Sequence, residues 1–160
     1  MTSLQRRLAI SLALGFALLP LAGGWAGGGK SADKNLTLTG KVVPLNDLLA
    51  KSGVKIDPDS APYFLAFHSD DGKIYLLIRD AGSRMFFKDA KLLNRPMRLT
   101  ARLIPNSQIL QVINVHSLVN GKLHEVYYWC DICTIKRFEA GICECCGDSM
   151  VFREEPYLER

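Results

Sequence analysis

All five cysteines of the chain lie between Cys130 and Cys146, in the string WCDICTIKRFEAGICECCGD. Cys130-x-x-Cys133 and Cys143-x-x-Cys146 are two knuckles separated by residues 134–142, and Gly147 follows the second. In such a knuckle a tight turn brings both sulfurs to one side and points backbone N–H groups toward them. Two knuckles complete a tetrahedron, and four thiolates about 2.3 Å from Zn²⁺ leave no open position, which defines a structural rather than a catalytic site. The metal ligands expected are Cys130, Cys133, Cys143 and Cys146, with Cys145 spare: a fifth nearby thiol, a substitute for Cys143 or Cys146, or an outward-pointing side chain. A divalent ion with four thiolates carries two net negative charges, which Lys136, Arg137 and Arg153 are close enough in sequence to offset.

Two other chemistries compete for these thiols. Exported proteins usually oxidise their cysteines, and two bridges plus one free thiol would also use five. A bridge within C-x-x-C closes a tiny loop and restrains little chain entropy, however, and the adjacent Cys145 and Cys146 fit a disulfide framework awkwardly. Alternatively, Cys130 with Cys133, or Cys145 with Cys146, could exchange electrons or pass on a soft metal.

The rest of the chain offers less. His116 and Glu125 form the only His–carboxylate pair the pattern suggests for acid–base work, and a plain cross-strand contact accounts for it as well. His68 has no nameable partner. The sequence shows no nucleophile elbow, no phosphate-cradling glycine loop and no paired carboxylates at a readable spacing, so a non-enzymatic role is expected.

The elements that must position these groups follow from hydropathy patterning. Leu36, Leu38 and Val42 alternate with Thr37, Thr39 and Lys41 as in a half-buried strand. Residues 45–53 read as a short helix ending on Gly53. Residues 63–68 and 73–79 alternate on either side of Ser-Asp-Asp-Gly and predict a hairpin. A principal helix is expected over 83–94, with Ser83 as N-cap and Pro96 as stop. Strands over 97–103 and 108–119 come next. Asn120-Gly121 predicts a two-residue hairpin turn in which Val119 faces Lys122, Ser117 faces His124 and His116 faces Glu125, leaving His116 and His124 on opposite faces. After the knuckles, Met150, Val151 and Phe152 predict a last short strand, with Val126, Tyr128 and Phe138 completing a small apolar base for the ribbon.

The chain has 160 residues, 48% of them hydrophobic and 22% charged, with a net charge of +4. Residues 1–26 read as a signal peptide: Arg6 and Arg7, an apolar run too short and too interrupted to span a membrane, and small residues ending at Ala26. Its removal leaves about 134 residues and a charge of about +2, too little for a dedicated nucleic-acid binder. The predicted address is therefore periplasmic or secreted, with no membrane span after cleavage, and the predicted partner is a protein or other macromolecule of the cell envelope. A face carrying Lys73, Tyr75, Arg79, Arg98 and Arg102 is the one feature that could grip single-stranded nucleic acid, with Tyr75 stacking a base. A solvated charged face is the simpler reading. Residues 27–34 read as a flexible tether.

The order of three strands, helix and two strands over residues 35–119 resembles the OB-fold, which implies a mainly β, five-stranded, partly open barrel with one helix. Residues 120–160 then supply a C-terminal β-hairpin and a four-cysteine segment that resembles zinc ribbons and related four-cysteine zinc fingers. Rubredoxin-like iron also uses two C-x-x-C knuckles, but rubredoxins place glycine after each, where this chain has Thr134. Zinc is expected ahead of iron on that ground.

Overall fold

The computed structural model of the protein describes residues 35–158; the predicted signal peptide and tether lie outside these residues. Strand β1 (Asn35–Pro44) runs directly into helix α1 (Leu45–Ala50). Strands β2 (Leu65–Ser69) and β3 (Ile74–Leu77) form the expected hairpin, and helix α2 (Arg84–Lys88) precedes β4 (Pro96–Leu103) and β5 (Ile109–Val119). Strands β6 (Lys122–Cys130), β7 (Ile135–Arg137) and β8 (Val151–Pro156) complete the chain.

The first five strands are ordered β3-β2-β1-β4-β5, and β3 also pairs with β5 in parallel. That parallel pairing covers only Leu76 opposite Ile109 and Leu77 opposite Leu110, so the sheet bends into a partial ring rather than a closed barrel. This is the mainly β, OB-like arrangement anticipated from element order. β1 can lie close against β2 because Gly40 faces Ser69: a Cβ at Gly40 would stand 2.2 Å from the His68 carbonyl oxygen.

The expected helix over 83–94 is instead two short pieces, α2 and a 3₁₀ turn at Ala90–Leu92. Asp89 between them is extended, and its Oδ1 accepts the Lys91 N–H at 2.9 Å. A short polar side chain bonding its own backbone competes with helix continuation. Ser83 does stand at the N-cap of α2, as expected, but its side chain makes no capping hydrogen bond. It is fully buried, accepting the Asp80 N–H at 3.3 Å and donating to the Ile78 carbonyl.

β6 organises the C-terminal part. Its residues His124 and Glu125 pair with both β5 and β8, and Tyr128 and Trp129 pair with both β7 and β8. A strand has two edges, so β5 and β7 share one edge of β6 and β8 occupies the other. The Asn120-Gly121 register is as predicted, pair for pair. β8 runs on through Pro156, past the Phe152 at which the apolar pattern ends, because its pairing with β6 extends to His124. Val126 and Tyr128 belong to the same hydrophobic cluster as Phe67, Leu99 and Leu110, with Met150 and Phe152 packed against it. Phe138 does not join this base; it is 50% exposed.

Candidate metal centre

β6 delivers Cys130 at its last residue, where the side chain points inward with Val126 and Tyr128, and Cys130 is 1% exposed. The chain then makes two turns of the same design. The Thr134 N–H donates to the Cys130 carbonyl and the Gly147 N–H to the Cys143 carbonyl, both at 2.8 Å. Thr134 (φ 54°) and Gly147 (φ 78°) occupy the equivalent left-handed positions. Glycine adopts this region freely, whereas a β-branched residue does so at a cost, so the first knuckle stores strain that the second does not. The Thr134 hydroxyl, donating to the Cys133 carbonyl at 2.7 Å, partly offsets it.

The second knuckle is held at its base by Ile142 bridged to Ser149, by the Cys143 N–H on the Asp148 carbonyl at 2.7 Å, and by the Met150 N–H on the Gly141 carbonyl at 2.9 Å. The result brings the sulfurs of Cys130, Cys133, Cys143 and Cys146 all within 4.8 Å of one another. The shortest approach described is 3.5 Å, between Cys130 and Cys146. A tetrahedron of sulfurs 2.3 Å from a central ion has edges of about 3.8 Å, so the donor set fits a metal ion. All five cysteines are free thiols. Cys143 is 2% exposed, while Cys145 and Cys146 lie at the exposed surface.

The thiols are electrostatically unequal. The Cys146 and Cys145 amides donate toward Cys143 and bring its thiol down to about 7. Cys133 is pushed well up, first by Cys145 and then by Cys146 beside it. At Cys130 the Cys133 amide, 3.4 Å from the sulfur, favours the thiolate, but burial and the neighbouring thiols outweigh it and raise the group. A divalent cation is what allows such crowded sulfurs to ionise together.

The three cations expected to offset the thiolates are committed elsewhere. Arg153 pairs with Asp131 at 2.8 Å and Arg137 with Glu144 at 2.9 Å, so each knuckle carries one acid tied to a neighbouring strand. Lys136 pairs with Glu125 and lies 4.4 Å from the Tyr127 ring centroid. Arg153 and Arg137 therefore brace the knuckles, and the amides pointing at the sulfurs stabilise the thiolates.

The other candidate residues are dispersed. His116 does stand opposite Glu125, but it is 4% exposed with its ring 4.3 Å from that of Tyr157, and the Glu125 carboxylate is engaged by Lys136. His124 contacts the Lys122 carbonyl at 3.1 Å, and His68 is exposed on β2. The basic face is not a stacking platform. Tyr75 lies opposite Phe67 and is buried with it, so Ile74 and Leu76 face outward instead. Lys73 pairs with Asp71, and Arg79 lies over the Tyr63 and Phe87 rings.

One feature escapes sequence reasoning altogether: a cavity of about 450 Å³ lined in part by Asp80, Met85, Gln111, Ile113 and Phe138. It opens where β5 bulges at Ile113, between Val112 opposite Ala101 and Asn114 opposite Thr100. Gly82, also in its lining, lets the chain approach β5 closely: a Cβ there would stand 1.9 Å from the Val112 carbonyl oxygen. Comparison with known proteins finds no matching family model, curated protein or solved structure.

Proposed function

We propose that this chain is an exported, non-enzymatic binding or assembly module of the cell envelope, whose OB-like body carries a ribbon held by structural Zn²⁺ on Cys130, Cys133, Cys143 and Cys146. The observation that carries the metal reading is the convergence of four sulfurs from two turns of identical hydrogen-bond design. Four thiolates with no further donor favour zinc, with iron second. A binding role is supported by aliphatic side chains held out at the knuckles, with Ile132 and Ile142 66% and 67% exposed. Export rests on the N-terminal pattern of Arg6-Arg7, apolar run and small residues. Nucleic acid is disfavoured as partner by the low charge and by the burial of Tyr75.

Elemental analysis of protein purified from its native compartment, paired with thiol titration before and after chelation, tests this reading. One zinc per chain and thiols that react only after chelation are expected. Protein without stoichiometric metal whose thiols are oxidised in pairs would overturn it. Thiol redox or metal handling is the second reading, favoured by the outward-facing Cys145 within the second knuckle.

A further inference from the structure

The four-thiol cluster has a fifth thiol at its open side. Cys130 and Cys143 are sealed in the interior, whereas Cys145 is exposed and Cys133 only half-buried. We propose that Cys145 is a thiol–disulfide exchange site for low-molecular-weight disulfides, with Cys133 as its resolving partner, so that exchange releases the metal. This rests on the four-cysteine metal reading.

Partner choice follows from geometry. Cys146 is adjacent in sequence, and consecutive Cα atoms about 3.8 Å apart fall short of the roughly 4.4–6.8 Å a disulfide prefers. Cys130 and Cys143 are buried beneath the knuckles, whereas the mixed disulfide on Cys145 forms at the exposed surface. Cys133 remains, half-buried, with its sulfur within 4.8 Å of those of Cys143 and Cys146, the two ligands between which Cys145 lies in the second knuckle. Because Cys145 lies outside the set of sulfurs that all fall within 4.8 Å of one another, it is the thiol a bound ion leaves unengaged.

The reaction balances in two steps. The Cys145 thiol loses its proton and attacks a disulfide RSSR; an S–S bond forms between Cys145 and one sulfur, and RS⁻ leaves. The Cys133 thiolate then attacks the Cys145 sulfur, the Cys133–Cys145 bond forms, and a second RS⁻ leaves. Two protein thiolates are oxidised by two electrons and RSSR is reduced to two thiolates. The ion, left with three sulfur ligands, dissociates.

The test treats zinc-loaded full-length protein with oxidised glutathione, following zinc release with a colorimetric chelator and mapping crosslinks by peptide mass spectrometry. Wild type is expected to release its zinc with a Cys133–Cys145 crosslink. Cys145→Ser, starting with the same zinc content, is expected to release zinc at least tenfold more slowly. Equal release rates, or a crosslink joining Cys130 to Cys146, would overturn the proposal while leaving the metal centre intact. Zinc content before oxidant is added separates this from failure of the metal reading itself, which would show as metal-free wild type.

Discussion

Tyr128→Phe asks whether the ribbon and the OB-like body share one core. Tyr128 sits on β6, 2% exposed, and its hydroxyl donates to Asp89 Oδ2 at 2.7 Å, reaching the break between α2 and the 3₁₀ turn. Burial, then that bond, raises the Tyr128 hydroxyl well above its ordinary value, so it remains a donor throughout the accessible pH range. Hydrogen bonds to charged groups contribute about 1.5–3 kcal/mol, and Asp89 is half-buried, so water replaces part of what is lost. The lower end, about 1.5 kcal/mol, is therefore expected. Phenylalanine leaves the ring in place against Phe152, at 5.6 Å between centroids, so no cavity term is added. With a urea slope of about 1–3 kcal/mol per molar, the midpoint should fall by roughly 1 M with the slope unchanged. Urea denaturation of the metal-loaded protein followed by circular dichroism measures both. A midpoint shift below about 0.2 M would refute the assigned bond, given that slope. A lowered slope or a separate early transition would show the ribbon melting alone and refute the shared core.

Four further outcomes are expected. Gly82→Ala should destabilise by about 1–3 kcal/mol or more in the same urea assay, because the added methyl meets the β5 backbone at Val112 and not a flexible side chain. Cys130→Ser should abolish stoichiometric zinc by elemental analysis and disorder the ribbon, whereas Cys145→Ser should retain the metal; equal loss in both would show the ligand set is misassigned. Glu139 is raised by burial but lowered more by Lys88 and Arg84, ending below its ordinary value of 4.5. Its stabilisation is thus present above about pH 4.5 and lost as the pH falls through the lowered value. Glu139→Gln should be less stable at neutral pH, by the 0.2–1 kcal/mol or so of an exposed ion pair, with the difference closing in acid thermal melts.

Strand periodicity located every strand of the OB-like part, and Asn120-Gly121 fixed a register because a two-residue turn with positive φ admits one pairing. The same reasoning failed where alternation was counted from the wrong residue. Tyr75 looked outward in a run with Lys73 and Arg79, yet its pairing opposite Phe67 turns it into the core, since a one-residue offset exchanges the faces of a strand. The long helix over 83–94 failed for a different reason: a helical face was present, but Asp89 found better partners in Lys91 and in Tyr128, which is distant in sequence.

The identity and spacing of the cysteines are local properties, and a C-x-x-C turn closes through hydrogen bonds within five residues, so the sequence alone determined the two knuckles and the four sulfurs they offer. Where those knuckles sit was decided by long-range pairing. Only the placement of β6 between β5 and β7 on one edge and β8 on the other carries Cys130 to the rim of the core and Cys145 outward. The cations assigned to the sulfurs went to Asp131, Glu144 and Glu125 instead, because charge proximity along a chain does not say which carboxylate the folded sheet will bring nearer.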